Sequence, residues 1–396
     1  MNVFDLREQL VRDYSSYIGS FINIRDPRIR EYVDEKLSGG LLWPDPLIQI
    51  NPAFEPGHWV DELVAQGLLH STCNTVFRRK SESNPVGDRF RFHKHQEDAI
   101  RAARSGENYV LTTGTGSGKS LAYIVPIVDY VLRHGSGHGV QAIIVYPMNA
   151  LANSQLGELK KFLSLGFPDG RGPVTFERYT GQENDEEKRR IMSNPPDILL
   201  TNYIMLELIL TRPEERRTLV NAAQGLRFLV LDELHTYRGR QGADVSMLVR
   251  RVRTTLNATN LQCIGTSATI SSTGGIAQQR QDVADVATKL FGDVVLPENI
   301  IGETLRRSTQ QVEFNQSGSQ AALRERVLTR QSSSSYPDLI ADPLAAWVET
   351  NLGLRTDETG TIRRARPRSL QGTDGAASQL SQETGLPEAT CLAALV

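Results

Sequence analysis

The sequence predicts an α/β protein in which a mostly parallel sheet is covered by helices on both faces. Short β-branched runs alternate with segments of helical periodicity between about residues 89 and 305, as in βαβ crossovers. Two runs, AIIVY and FLVL, are apolar throughout, as expected for central strands buried on both sides. A glycine-rich segment, TTGTGSGKS, lies between one predicted strand and the helix after it.

Each element is predicted from its own stretch of sequence. Strands are expected in six runs: NYVLTT, QAIIVYP, VTFERY, DILLT, LRFLVLDE and LQCIGTS. Helices of the same region are expected in SLAYIVPIVDYVLRH, LANSQLGELKKFLSL, NDEEKRRIM and GADVSMLVRRVRTTL. Residues 1–88 are predicted to be a mostly helical N-terminal extension, because DLREQLVRDYSSYIGSF and HWVDELVAQGLLH are amphipathic.

The last segment, residues 306–396, differs in composition from the region before it. It is first rich in Gln and Ser, then basic in TIRRARPRSL, and it ends in GAASQLSQETGLPEATCLAALV, which resembles a helix-turn-helix. Because the final helical pattern has no capping signal, we expect a linker and helical segment that form an incomplete C-terminal region.

Composition and charge restrict the classes of function. With a formal net charge of −2 the chain has no global positive field, so nucleic-acid binding needs a local basic patch. Its three cysteines form no C-x-x-C pair, which argues against a zinc ribbon or a disulfide framework. We expect a cytoplasmic protein with no membrane partner, because no signal peptide or long apolar run is present. A possible basic patch comprises Arg78, Arg79, Lys80, Arg89, Arg91 and Lys94.

The segment TTGTGSGKS has the chemistry of a phosphate-binding loop. Its alternating glycines allow the backbone to turn N–H groups inward, and the N-terminus of the next helix favours anions. Lys119 is predicted to reach the β- and γ-phosphates, and Ser120 to ligate Mg²⁺. The usual pattern has a glycine at the position of Thr113. The predicted cofactor-binding residues in the loop are Thr113, Gly114, Thr115, Gly116, Ser117, Gly118, Lys119 and Ser120.

Acidic and hydroxyl residues follow two further predicted strands. Asp232 and Glu233 end the FLVL strand, from which a carboxylate can reach Mg²⁺ at a phosphate loop on a neighbouring strand. Asp232 is predicted to hold the metal, and Glu233 to orient the attacking water. Ser267 and Thr269, in CIGTSATI, are suited to hydrogen-bond the loop from Asp232 to His235. For each motif alone, the alternative is a polar strand end that faces solvent.

A glutamine upstream completes the predicted nucleotide site. Gln96 lies 23 residues before Lys119. Its amide both donates and accepts, so it can recognise the N6 and N7 edge of adenine. The alternative is a surface glutamine on a helix.

Together these motifs resemble the first RecA-like motor domain of superfamily 2 helicases of the DEAD/DEAH type. The resemblance covers residues 89–305 and rests on the order Gln96, TGTGSGKS, YPMNALANSQ, YTGQ, LLTNY, DELH and TSAT. It implies a RecA-like P-loop NTPase domain. Members of the superfamily commonly carry Ala or Thr at the first glycine position, so Thr113 agrees with it. In detail, RYTGQE and DELHTYRGRQGADV are most similar to large Lhr-type and mitomycin-repair-type bacterial DNA helicases.

The resemblance implies ATP and Mg²⁺ as cofactors and nucleic acid, with DNA favoured, as the partner. It implies catalytic roles for Lys119, Asp232, Glu233 and His235. It also implies that His235, Ser267 and Thr269 couple hydrolysis to the grip on nucleic acid. Contacts to the sugar-phosphate backbone are implied for Asn149, Ala150, Thr180, Gly181, Gln182, Thr201 and Asn202.

Motors of this superfamily need a second RecA-like domain, which supplies arginine fingers. Its QxxGRxGR-like signature does not occur in the last 100 residues. TIRRARPRSL is interpreted as a solvated basic linker, and Arg250–Arg253 as the polar face of a helix. We therefore expect the chain alone to bind ATP·Mg²⁺ weakly and to hydrolyse it poorly.

Two other functions remain open from the sequence. One is the translocase subunit of a restriction or antiphage defence system, which uses the same motor motifs. The other is a non-catalytic, nucleotide-switched module that binds DNA through the helix-turn-helix-like segment. His134 and His138 could be proposed as a metal pair, but HGSGH is a glycine-rich stretch with no third ligand in view, so we assign both to solvent.

Overall fold

The computed structural model describes residues 3–21, 24–39, 43, 46–114, 116–268, 275–329, 335–357 and 360–396. These form two compact units. The sheet unit consists of residues 54–304, and the terminal unit combines the described parts of 1–53 and 305–396. Residues 54–88, predicted as part of an N-terminal extension, thus lie in the sheet unit, while the start of the chain shares a unit with the C-terminal segment.

The sheet unit is built on a seven-stranded sheet in which the strands run in the order β7-β1-β6-β5-β2-β4-β3. The six ladders between neighbouring strands are parallel. All six predicted strands are present, and β7 is an additional edge strand. The strands are β1 (Tyr109–Thr112), β2 (Ala142–Tyr146), β3 (Phe176–Arg178), β4 (Ile198–Asn202), β5 (Phe228–Leu231), β6 (Gln262–Ser267) and β7 (Ile300–Gly302).

Helices connect these strands, as the βαβ pattern predicts. The main helices are α1 (Lys94–Ser105), α2 (Leu121–His134), α3 (Asn149–Leu163), α4 (Asp185–Ser193), α5 (Tyr203–Thr211), α6 (Gly239–Thr255) and α7 (Ile276–Phe291). Shorter helical segments are Val60–Ala65, Cys73–Val76, Pro168–Gly170, Pro213–Glu215, Arg216–Val220, Leu234–Thr236 and Pro297–Asn299. A small antiparallel pair of strands, Pro56–Trp59 and Arg91–His93, precedes α1.

Apolar residues cover both faces of the sheet. Along β2, Ile143 and Val145 pack into one hydrophobic cluster, whereas Ile144 and Tyr146 pack into another. Because successive side chains of a strand point to opposite faces, this division shows a layer of helices on each side. The continuous apolar runs in the sequence therefore predicted the doubly covered sheet correctly.

Helix α2 contains a proline without being broken. Pro126 has no N–H, so the carbonyl of Ala122 lacks its usual helical donor. The hydroxyl of the fully buried Tyr109, on β1, donates to that carbonyl at 2.8 Å. A strand side chain thus replaces the missing helical hydrogen bond.

The terminal unit is mainly helical and has its own core around the fully buried Trp347. The predicted helix-turn-helix pattern at the C-terminus corresponds to Ala376–Thr384 and Glu388–Leu395. The other helices are Val3–Phe21, Pro27–Ser38, Ser317–Thr329, Tyr336–Ala341, Pro343–Val348 and the π-helical turn Glu349–Gly353.

The basic stretch TIRRARPRSL is not a solvated linker. Residues Ile362–Arg364 pair antiparallel with Leu354–Thr356, and Arg368–Ser369 pair antiparallel with Leu47–Ile48. The Arg363 guanidinium also donates to Asp357 at 3.1 Å. All three residues of the strand Ile362–Arg364 are half-buried, and its partner strand is not apparent from charge, so charge alone was misleading here.

Candidate functional site

The glycine-rich loop joins β1 to α2 at the carboxyl edge of the sheet. Gly116 and Gly118 have φ angles of 78° and 70°, which glycine adopts at little cost. The Thr113 and Ser117 hydroxyl oxygens, in two buried residues, lie 2.7 Å apart. A hydrogen bond across the loop therefore accounts for threonine at the first position. Thr115 lies outside the described residues.

Two neighbouring side chains of α1 hold the outer side of this loop. The Nε2 atom of His95 lies 2.9 Å from the carbonyl oxygen of Ser117, and Gln96 Nε2 donates to the Gly118 carbonyl at 2.9 Å. A Cβ on Gly118 would lie only 2.5 Å from Gln96 Nε2, so the close approach requires glycine. Both loop carbonyls are thus held by side chains of α1.

The amide of Gln96 is fully engaged within the protein. Its Oε1 atom accepts the backbone N–H of His93 at 2.9 Å, while its Nε2 atom holds the loop. Only 2% of the residue is exposed. In this structure Gln96 therefore braces the phosphate loop, and adenine recognition by its amide remains a prediction.

The acidic pair lies at the same edge of the sheet, after β5. The ammonium nitrogen of Lys119 is 3.5 Å from Glu233 Oε1, and both side chains are largely buried. The sequence led us to expect the phosphate loop and the acidic pair on neighbouring strands. In the structure β6 lies between their strands, β1 and β5. The site is therefore built from three strand ends rather than two.

The intervening strand contributes a residue that the sequence analysis missed. Thr266 of β6 donates its hydroxyl hydrogen to Asp232 Oδ1 at 2.5 Å and accepts the Glu233 backbone N–H at 3.0 Å. Its signal in the sequence was a single hydroxyl near the end of an apolar strand, next to the similar Ser267.

The carboxyl group of Asp232 is suited to a cation. Burial raises its pKa above the ordinary value, the nearby Glu233 carboxylate adds to the rise, and the Thr266 hydrogen bond opposes it. A buried carboxylate and the Ser120 hydroxyl supply the oxygen ligands that Mg²⁺ prefers. These residues therefore fit Mg²⁺ as the predicted metal.

His235 links the acidic pair to the end of β6. Its Nδ1 atom lies 3.3 Å from Glu233 Oε2, and 3.4 Å from both the Ser267 hydroxyl and the Ala268 nitrogen. This places the predicted coupling residues His235 and Ser267 in contact. Thr269 lies outside the described residues.

The residues predicted to contact nucleic acid follow β2, β3 and β4. Asn202, on the central strand of these three, donates from Nδ2 to Asn149 Oδ1 at 2.7 Å and to the Thr180 carbonyl at 3.1 Å. Its Oδ1 atom accepts the Met205 N–H at 2.7 Å and so caps α5. One side chain therefore connects all three strand ends.

The loop after β3 is organised by Glu183, which the sequence analysis did not single out. This buried carboxylate accepts the backbone N–H groups of Thr180 and Gly181, each at 2.8 Å, and the Arg178 guanidinium at 2.7 Å. These amides are consequently turned inward.

The predicted nucleic-acid residues differ in their access to solvent. Thr201 is buried, and its hydroxyl bonds to the Tyr179 carbonyl at 2.7 Å. Ala150, Gly181 and Gln182 are exposed at the carboxyl edge. The exposed group is therefore better placed for direct contact, and the buried group for support.

Most of the possible basic patch already has partners within the protein. Arg89 pairs with Asp61 at 2.7 Å, and Lys94 pairs with Asp98. Arg78, Lys80 and Arg91 each donate to a backbone carbonyl. Only Arg89 and Lys94 are thus paired with carboxylates, whereas the other three residues bond to neutral carbonyls, which do not cancel their charge.

The described residues provide neither a metal cluster nor a membrane span. No group of three or more His, Cys, Asp or Glu side chains in them could hold a metal ion. His134 instead stacks on Tyr130 with ring centroids 3.8 Å apart. None of the helices in the same ranges has the length and apolar character needed to cross a bilayer.

Comparisons with known proteins agree with this geometry. Residues 93–274 match the DEAD/DEAH box helicase family. The Druantia protein DruE of Escherichia coli is 27% identical over a region that covers 57% of this chain and 18% of that protein. The ATP-dependent helicase Lhr-Core of Saccharolobus solfataricus is 27% identical over 47% of this chain and 22% of that protein.

The fold also matches a solved structure of the DEAD-box helicase Mss116 bound to ssRNA and UDP-BeF. The TM-score is 0.50 at 17% identity, covering 72% of this chain and 54% of that chain. The chain spans about a fifth of the length of the two curated relatives named above. Residues 93–274 therefore form a DEAD/DEAH box helicase domain, and the chain is similar in sequence to helicases of the Lhr type.

Proposed function

We propose that this chain is the N-terminal motor portion of an ATP-dependent helicase or translocase that acts on nucleic acid, and on DNA in particular. One observation carries the proposal. Lys119 from the phosphate loop and the acidic pair after β5 converge, with Lys119 Nζ only 3.5 Å from Glu233 Oε1.

The residues divide the work of phosphoryl transfer. Lys119 and the N–H groups of the loop bind the phosphates of ATP, while Ser120 and Asp232 hold Mg²⁺. When bound, Mg²⁺ neutralises charge that develops on the phosphates. Glu233 orients the attacking water once Lys119 has turned from it to the phosphates.

Coupling to nucleic acid follows from the contacts at the sheet edge. His235 contacts Glu233 on one side and Ser267 on the other, at 3.3 and 3.4 Å. The loops after β2, β3 and β4, held together by Asn202, present Ala150, Gly181 and Gln182 to the sugar-phosphate backbone. Contacts of this kind position a strand without recognising its sequence.

We further propose that the motor works in the cytoplasm. Cys73, Cys263 and Cys391 are buried free thiols, which suits a reducing compartment. The matched curated relatives extend well beyond the region covered here. The proposed compartment applies equally to any longer protein of which this chain is a part.

The test is steady-state ATP hydrolysis with single-stranded DNA, with single-stranded RNA of the same sequence, and without either. Because the signature of a second RecA-like domain does not occur in the last 100 residues, we expect only slow hydrolysis, with a small stimulation by DNA that Glu233→Gln abolishes. Absence of both nucleotide binding and hydrolysis in the wild-type chain would refute the proposal. Stimulation by RNA alone would refute the preference for DNA.

The alternatives have their own outcomes in the same system. If the chain is part of a translocase of a restriction or defence system, we expect it to displace the third strand of a DNA triplex without separating the two strands of the duplex. A non-catalytic switch binds DNA in a nucleotide-dependent manner with no turnover, and this binding is lost when residues 306–396 are deleted.

A further inference from the structure

Thr266 occupies the position between the phosphate loop and the acidic pair. It lies on β6, where it pairs with Leu111 of β1 on one side, while its neighbour Gly265 pairs with Leu231 of β5 on the other. The residue is fully buried. Its hydroxyl therefore exchanges hydrogen bonds with protein groups rather than with solvent.

The direction of these hydrogen bonds is fixed by chemistry. The Glu233 N–H can only donate, so the Thr266 oxygen accepts it at 3.0 Å. The single hydroxyl hydrogen then points at Asp232 Oδ1, 2.5 Å away. One hydroxyl group is thus hydrogen-bonded to both residues of the acidic pair. On Asp232 it bonds to Oδ1 and not to the second carboxylate oxygen, Oδ2.

The backbone of Glu233 needs such support. Its φ and ψ angles of 54° and 57° are in the left-handed region, which a residue with a side chain rarely adopts. Its carbonyl accepts the Thr236 N–H at 2.9 Å and hydroxyl at 2.8 Å. Thr266 holds its N–H, so both polar groups of this peptide position are fixed.

Other contacts do not duplicate this role. The backbone N–H of Asp232 bonds to the Val145 carbonyl of β2 at 2.9 Å, which fixes the main chain but not the carboxylate. The adjacent hydroxyl of Ser267 contacts His235 instead. Only Thr266, among the contacts described for the acidic pair, bonds to both of its members.

We propose that Thr266 is a positioning residue of the ATP site, which aims the free oxygen of Asp232 at Mg²⁺ and holds Glu233 where it orients water. The proposal rests on the proposed function and adds a residue to it. The hydroxyl acts through Asp232 and Glu233, with no contact of its own to the nucleotide.

The test compares three variants of Thr266. Thr266→Val removes the hydroxyl but keeps the shape of the side chain, and Thr266→Ala removes both the hydroxyl and the methyl group. Thr266→Ser keeps the hydroxyl. Thr175→Val is a control at an exposed position, whereas Thr266 is buried. Thr175 makes the same kind of bracket at the opposite edge of the sheet, donating to Asp197 Oδ2 at 2.8 Å and accepting the Asp197 N–H at 2.9 Å.

The first measurement needs no nucleotide. Hydrogen exchange in peptides that span β5 and the acidic pair reports on the Glu233 N–H. We expect exchange about tenfold or more faster in the Val and Ala variants, because the amide loses its acceptor, and unchanged exchange in the Ser and Thr175→Val variants. Wild-type exchange in both the Val and Ala variants would overturn the proposal.

The second measurement is the Mg²⁺ dependence of binding of a fluorescent ATP analogue. Loss of a residue that orients a metal ligand typically weakens metal affinity by about 10- to 100-fold. We expect a shift of that size in the Val and Ala variants, restoration in the Ser variant, and unchanged binding without Mg²⁺. An unshifted Mg²⁺ dependence would overturn the metal-positioning role.

The two measurements separate failure of this proposal from failure of the proposed function. If the wild-type chain binds no nucleotide, the proposed function fails, and the metal-positioning role fails with it. Amide exchange then still decides whether Thr266 holds Glu233. If Thr266→Val unfolds the protein, both measurements are made with Thr266→Ala and Thr266→Ser alone.

Discussion

The ammonium group of Lys119 lies 3.5 Å from a carboxylate oxygen of Glu233, so the two side chains form an ion pair. The two side chains are 13% and 25% exposed, so the ion pair is largely shielded from solvent. ATP must separate the pair, because its phosphates need the cation that Glu233 holds.

Replacing Glu233 with Gln is therefore expected to tighten ATP binding while it stops hydrolysis. Loss of the competing carboxylate should raise affinity roughly two- to tenfold, the range of a modest ion pair. Loss of the group that orients water should reduce turnover by roughly 100-fold or more. Titration of a fluorescent analogue and steady-state turnover measure the two effects.

The control for this variant is Glu207→Gln, which breaks an ion pair with Arg251 on the protein surface. It should change neither quantity. Equal ATP affinity in wild type and Glu233→Gln would contradict a competing role for the Lys119 pair.

Asn202→Ala is expected to weaken single-stranded DNA binding by roughly tenfold, with ATP binding unchanged. The side chain connects the ends of β2, β3 and β4, and its net hydrogen bonds contribute about 0.5–1.5 kcal/mol each. Fluorescence anisotropy of labelled DNA measures the effect.

Asn184→Ala is the control for that prediction, because the Asn184 side chain also caps a helix but makes no hydrogen bond to a strand end among the described residues. Both variants should lose similar stability from the lost cap. Equal DNA affinity in the two variants would show that Asn202 acts only as a helix cap.

Tyr109→Phe is expected to lower the free energy of unfolding by about 1–3 kcal/mol, because it leaves the buried Ala122 carbonyl without a donor. Pro126→Ala restores an N–H at the correct helical position. The cost of Tyr109→Phe should then fall by at least about half in the Pro126→Ala background. Urea unfolding of the four proteins of this cycle gives the interaction; additive losses would refute it.

Glu97 is expected to make stability dependent on acid pH. Burial tends to raise the pKa of Glu97, but hydrogen bonds from His58 and Arg101 outweigh it and lower the pKa from 4.5 to about 2. A carboxyl group with a lowered pKa stabilises the fold above its unfolded pKa and loses this contribution as pH falls through the folded one. The stability difference between wild type and Glu97→Gln should therefore be present at about pH 5 and should shrink progressively below 4.5.

Chemical unfolding at a series of pH values measures this difference. Glu158→Gln, which breaks the surface pair with Lys161, is the control and should show little effect at any pH. A difference that grows on acidification would contradict the lowered pKa.

The sequence predicted the elements whose information is local. Continuous apolar runs identified β2 and β5, and the glycine spacing identified the loop that ends in Lys119. Strand β7 was missed because three residues, Ile300–Gly302, carry no measurable periodicity. The resemblance added the expectation of a helicase domain, which the matched family confirms over residues 93–274.

The missed parts of the site depend on contacts between distant residues. Thr266 and Ser267 look equivalent in sequence, yet only the strand order places Thr266 against the acidic pair. Glu183 was indistinguishable from other acidic residues until the loop around it was known. The first and last segments of the chain also form one unit, and no local sequence pattern predicts that they pack together.

The hydrogen bond between Thr113 and Ser117 also has a consequence for the entropy of ligand binding. A glycine at the first position would leave the empty loop many backbone states, which a nucleotide would have to restrict. Threonine removes part of that freedom during folding, and its bond to Ser117 fixes the turn in advance. Part of the entropic cost of ordering the loop is thus met during folding rather than on ligand binding.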